Sequence, residues 1–90
     1  NAYCYPNPIR DGIGTIRVET FGPSNIDINL YDLAGYFIKS FSTHSILNGN
    51  QVKELVWDTS ELHSGLYFAH VSVSNDDEIQ TKIVKIAVVD

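Results

Sequence analysis

Asp58, His63 and Ser64 are the residue types of a hydrolase triad, and they lie in one short stretch of the chain. A nucleophilic serine needs a base to take its proton and a carboxylate to orient that base, each held by a separate element. Here all three share a single turn, and Ser64 has no strand-to-helix elbow around it. The stretch therefore reads as a polar turn. His44 and His70 lack the close spacing of zinc ligands, and His70 is expected to face solvent from a strand. Cys4 is the only cysteine, so no internal disulfide forms. With no activating base nearby, it reads as a small buried hydrophobe.

The acidic run Asp76-Asp77-Glu78 lacks the spaced oxygens and the glycine of a calcium loop, which leaves a solvated hairpin tip. Gly12 and Gly14 have G-x-G spacing, but neither a third glycine nor a helix follows to cradle a phosphate. Tyr31 and Tyr36 can stack on a sugar ring, though cross-strand packing beside a turn accounts for them more simply. No catalytic, metal or cofactor site emerges, and the residues do not read as an enzyme.

The elements that would position any site are strands. From Gly65 to Ser74 the chain alternates cleanly, with Tyr67, Ala69, Val71 and Val73 on one side and Phe68, His70, Ser72 and Ser74 on the other. Before it, Trp57 ends a strand in which Leu55 also points inward. Asp58-Thr59-Ser60 supplies turn acceptors, and Gly65 is expected to take a positive φ that launches the next strand.

Ile16 with Val18, and Ile26, Ile28 and Leu30, alternate in the same way. Asp32-Leu33-Ala34-Gly35 fits a tight hairpin closed by a left-handed glycine. Ile38 and Phe41 both look like core residues, which predicts a bulge between them. Pro6-Asn7-Pro8, Asp11-Gly12 with Gly14, Phe21 to Asn25, and Asn48-Gly49-Asn50 mark breaks. Ile79 to Val89 closes the chain, rich in β-branched residues. No helical stripe appears. The expected fold is all-β, a seven-stranded immunoglobulin-like antiparallel β-sandwich forming a single domain over residues 1–90. Such a sandwich leaves edge strands exposed, so an edge-strand dimer is a further expectation.

Composition narrows the function classes. Eleven acidic against six basic residues give a formal charge of −5. That sign opposes phosphate backbones and anionic membranes, so no nucleic-acid partner is expected. No apolar run reaches the roughly 18 residues of a membrane span, so no membrane insertion is expected either. The chain contains no methionine and begins at Asn1, which suggests an excised piece of a longer protein; if that parent is exported, its signal lies upstream.

Four landmarks recur in order: Tyr5-Pro6-Asn7-Pro8, Tyr31-Asp32-Leu33-Ala34-Gly35, Trp57-Asp58, and Ser64-Gly65-Leu66-Tyr67-Phe68. A lysine-bearing apolar strand, Thr81 to Val89, follows them. In this order and spacing the chain resembles the C-terminal sorting domain of the type IX secretion system, over nearly its whole length. The immunoglobulin-like domain of flagellar hook-capping proteins shares much of the pattern.

The resemblance implies a β-sandwich at the end of a secreted protein of Bacteroidetes-type bacteria. On that reading the type IX secretion machinery recognises it in the periplasm and carries the parent to the outer-membrane surface or the medium. A sortase-like peptidase then removes it in many members. The resemblance implies sorting or structural roles for Pro6, Asn7, Pro8, Gly35, Trp57, Gly65 and Tyr67, and places Lys82 and Lys85 at the basic positions of the terminal strand. The alternative is an accessory immunoglobulin-like module that spaces domains or binds glycan or protein.

Overall fold

The period-2 runs become strands with one dry and one wet face. The computed structural model describes all residues from Asn1 to Asp90. Its elements are β1 (Ala2–Tyr5), β2 (Ile13–Phe21), β3 (Ser24–Asp32), β4 (Phe37–Ser45), β5 (Asn50–Asp58), β6 (Gly65–Ser74) and β7 (Ile79–Val88), with no helix. They form two antiparallel sheets, β1-β2-β5 and β4-β3-β6-β7, stacked as a sandwich. The Gly22-Pro23 link carries the chain from the first sheet to the second, with Gly22 at φ +76°. The 46–49 and 59–64 segments switch sheets again.

The dry layer is the one the alternation names. Ile16, Ile26, Ile28, Leu30, Ala69 and Ile86 are fully buried, and Trp57 is 1% exposed. Cys4 is buried among them, and burial pushes its thiol up to about 11. Ion pairs add little to this. Arg17 meets Glu19 and Glu54 on the wet face of β2 at 3.5 and 3.4 Å, where solvent screens them.

The β3–β4 turn forms as expected. Gly35 has φ +91°, its N–H donates to the Asp32 carbonyl at 3.0 Å, and the Asp32 N–H donates to the Tyr36 carbonyl at 3.0 Å. The Asp32 carboxylate also accepts the Tyr36 N–H at 2.9 Å. The bulge sits at Ile38 itself: Leu30 pairs with Lys39 and Tyr31 with Phe37, so one residue of β4 has no partner. Tyr31 accordingly packs edge-on against Phe37, at 6.0 Å between centroids, and not against Tyr36.

Two glycine expectations are corrected. Gly14 is no turn residue but a buried position inside β2. A Cβ there would fall 2.3 Å from the Ile9 Cδ1 and 3.3 Å from the Cys4 Sγ, so the missing side chain is space that Ile9 fills. Gly65 does not have a positive φ; only Gly12, Gly22 and Gly35 do. The reversal is already complete before it. The Asp58 carboxylate accepts the Ser60 N–H at 2.9 Å, and the Leu62 N–H donates to the Thr59 carbonyl at 3.0 Å. Gly65 simply begins β6 opposite Val88.

Candidate functional site

Pro6-Asn7-Pro8 leaves β1 and crosses to the neighbouring β7 edge of the other sheet. Proline offers no N–H of its own, so the segment bonds through Asn7 and Ile9. The Asn7 Nδ2 donates to the Lys85 carbonyl, and the Ala87 N–H donates to the Asn7 Oδ1, both at 2.9 Å. The side-chain amide thus stands in for a peptide group of a neighbouring strand. Ile9 continues the seam: its N–H donates to the Ala87 carbonyl at 2.7 Å, and its carbonyl accepts the Val89 N–H at 2.9 Å. Four bonds clasp the last third of β7, and the Ile9 side chain, fully buried, anchors the clasp in the core.

The other landmarks arrive at the same end. Trp57 lies opposite Gly14 in the β2–β5 pairing and meets Tyr67 edge-to-face, with centroids 5.9 Å apart at 79°. The Tyr67 hydroxyl donates to the His63 carbonyl at 2.6 Å. Burial, then the charges of Asp32 and Asp90, raise its pKa above the ordinary phenol value. Asp32, beside the Gly35 turn, pairs with Tyr67 across β3 and β6. Pro6, Asn7, Pro8, Gly35, Trp57, Gly65 and Tyr67 therefore surround one end of the sandwich.

Lys85 joins this end on the outer face of the four-stranded sheet. Register places it in one row with Phe68, Tyr31 and Phe37, one residue from each strand. Lys82 does not join it. Three positions along a strand is an odd number, so the two lysines point to opposite faces, roughly 10 Å apart along β7. Lys82 lies toward the other end, where its ammonium donates to the Asn1 Oδ1 at 3.2 Å.

A family model covers nearly all of these elements. The model of the secretion system C-terminal sorting domain matches residues 3–86. The chain belongs to that family. Its members carry a C-terminal sorting signal for type IX secretion, which implies export to the cell surface or the medium. The family is in general non-catalytic. No curated protein matches the chain.

Among solved structures, the β-glucuronidase of Parabacteroides merdae is similar at a TM-score of 0.64 and 16% identity, over 97% of this chain and 13% of that one. The C-terminal domain of Wzt is similar at a TM-score of 0.62 and 12% identity, over 92% of this chain and 64% of that one. These likenesses concern the fold, and this chain spans only a small part of the glucuronidase.

Within the sorting domain, the triad-like residues have other work. Asp58 is engaged by Ser60, whose hydroxyl first and backbone N–H second lower the carboxyl's pKa. His63 offers its carbonyl to Tyr67, and the Ser64 Oγ accepts the Asp90 N–H at 2.8 Å. The acidic tip is shaped by Asn75, whose Oδ1 accepts the N–H groups of Asp77 and Glu78. No helix is long and apolar enough to cross a membrane. Sequence reasoning missed Ile9. The available signal was a lone β-branched residue after two prolines, matched to a glycine five positions on.

Proposed function

We propose that this sorting domain acts as a folded address label, read on the outer face around Lys85. The observation that carries the reading is the Asn7 clasp, which joins the opening motif to the terminal strand. Landmarks scattered along the chain thereby support one surface, an ammonium beside an aromatic row. In this reading residues 1–90 are one domain behind an upstream cargo domain. The parent passes through the periplasm, where the type IX machinery recognises the label, and a sortase-like peptidase removes it after export. Asn7, Pro6 and Pro8 hold β7 in place. Gly35, Trp57, Gly65 and Tyr67 shape the end of the sandwich, and Lys85 makes the contact. Lys82 on the opposite face plays a lesser part.

The test is export of a signal-bearing fluorescent reporter fused to residues 1–90 in a type IX-competent bacterium. The unaltered fusion is expected outside the cell, Lys85→Ala retained in the periplasm with an unchanged melting temperature, and Lys82→Ala exported. Retention of the unaltered fusion would sink the sorting reading and leave the accessory-module alternative.

A further inference from the structure

β7 is an edge strand, and the clasp covers only its last third. The clasp uses the Lys85 carbonyl, both backbone groups of Ala87 and the Val89 N–H, so odd-numbered residues point their backbone groups away from β6. At the other end the Asn75 N–H donates to the Glu78 carbonyl, so even-numbered residues point toward β6. The β6–β7 register runs without a shift from Ile79 to Val88. The N–H and C=O groups of Ile79, Thr81 and Ile83 therefore line an open edge. Beside them stand two uncovered apolar side chains, Ile79 at 69% and Ile83 at 57% exposure.

The other edges are less suited to adding a strand. β1 has four residues and runs into Pro6. β4 carries the Ile38 bulge near its start, and the regular stretch after it shows the polar Ser40, Ser42 and His44 on its outer face. On β5, two copies paired about Glu54 set Glu54 against itself, and paired about Val56 they set Glu54 against Asp58. Pairing about Val52 brings only that one apolar residue to the axis.

The geometry points to the Ile79–Ile83 edge as a docking surface for the same segment of a second copy, antiparallel about a two-fold axis through Thr81. In that register Ile79 lies opposite Ile83 of the other copy, Gln80 opposite Lys82, and Thr81 opposite Thr81. The three odd-numbered pairs are the hydrogen-bonded ones, each exchanging two N–H···O bonds. The exposed isoleucines cover one another on the outer face, and each Lys82 meets an amide instead of another lysine. The contact is isologous and closes at a dimer, joining two four-stranded sheets into one of eight. It does not depend on the sorting reading.

Five residues from each copy make a small contact, so the dissociation constant is expected at about 0.1–1 mM. The test is sedimentation velocity and amide NMR on residues 1–90 across about 20 μM to 2 mM, bracketing that affinity. The expected result is a dimer at the upper concentrations, with amide shifts confined to Ile79–Ile83. Thr81→Pro removes an outward N–H that β6 does not use. The double variant Ile79→Lys, Ile83→Lys alters only exposed side chains and keeps the fold if the proline does not. Both should stay monomeric, while Val56→Lys on β5 should dimerise like the parent. A parent that is monomeric throughout, a dimer that survives the double lysine variant, or shifts mapping to β4 or β5 would overturn the proposal.

Discussion

Asn7→Ala removes both bonds that the amide makes to β7 while leaving the Ile9 seam intact. The Lys85 carbonyl and the Ala87 N–H then meet water, because the site is exposed, so the loss is that of two ordinary hydrogen bonds. At about 0.5–1.5 kcal/mol each the total is about 1–3 kcal/mol. For a domain of this size that lowers the melting temperature by roughly 5–20 °C, at about 4–8 °C per kcal/mol. A melt alone would not locate the effect, so the deciding assay is hydrogen exchange at the Ala87 amide. It should be protected in the parent and exchange far faster in Asn7→Ala, with the Val89 amide less affected. Asn7→Asp keeps an acceptor for the Ala87 N–H but turns the donor into a second acceptor facing the Lys85 carbonyl. It should protect Ala87 and still melt below the parent. Unchanged exchange at Ala87 in the alanine variant would refute the idea that a side chain substitutes for a strand here.

Trp57→Ala should destabilise by about 3–5 kcal/mol, a large part of the 5–15 kcal/mol available to such a domain; a melting temperature equal to the parent's would show the indole is not core. Gly14→Ala drives a methyl into Ile9 and should cost about 1–3 kcal/mol, whereas an Ile9→Val, Gly14→Ala double variant should recover part of it in denaturant titrations. Gly65→Ala has an ordinary φ and nothing within 4 Å of the new Cβ, so its stability should stay within about 0.5 kcal/mol of the parent. Loss of reporter export in that stable variant would mark Gly65 as a contact, and a large drop in stability would contradict its extended conformation. Cys4 titrates at about 11 in the folded chain against 9.0 for a free thiol, so the folded state holds the proton more tightly. Stability is then full below about pH 9 and falls as pH rises through 11. Tyr67 is shifted the same way, so the comparison is the alkaline limb of Cys4→Ala against the parent, which should be shallower in the variant.

Much of the fold was legible because its information is local. The runs Ile26-Ile28-Leu30 and Tyr67-Ala69-Val71 state which side of each strand is dry, and those side chains are buried. The Asp32–Gly35 turn carries its own chemistry, and Gly35 has the left-handed φ that chemistry requires. The opposite facing of Lys82 and Lys85 also follows from parity, although naming both as basic positions obscured it. Gly65 was misread because glycine after a polar stretch suggests a turn, while Asp58 and Thr59 had already made the reversal.

The clasp is of another kind. Asn7 bonds to residues 78 and 80 positions away, and Ile9 fits against Gly14 only because a turn folds one onto the other. Alternation and turn residues operate over a few positions, so the strands, their inner faces and the family can be read directly from the chain. Which edge Asn7 covers, and which half of β7 stays open, was decided only when the 6–12 segment packed against the end of β7. A backbone edge has no side-chain pattern that announces its partner.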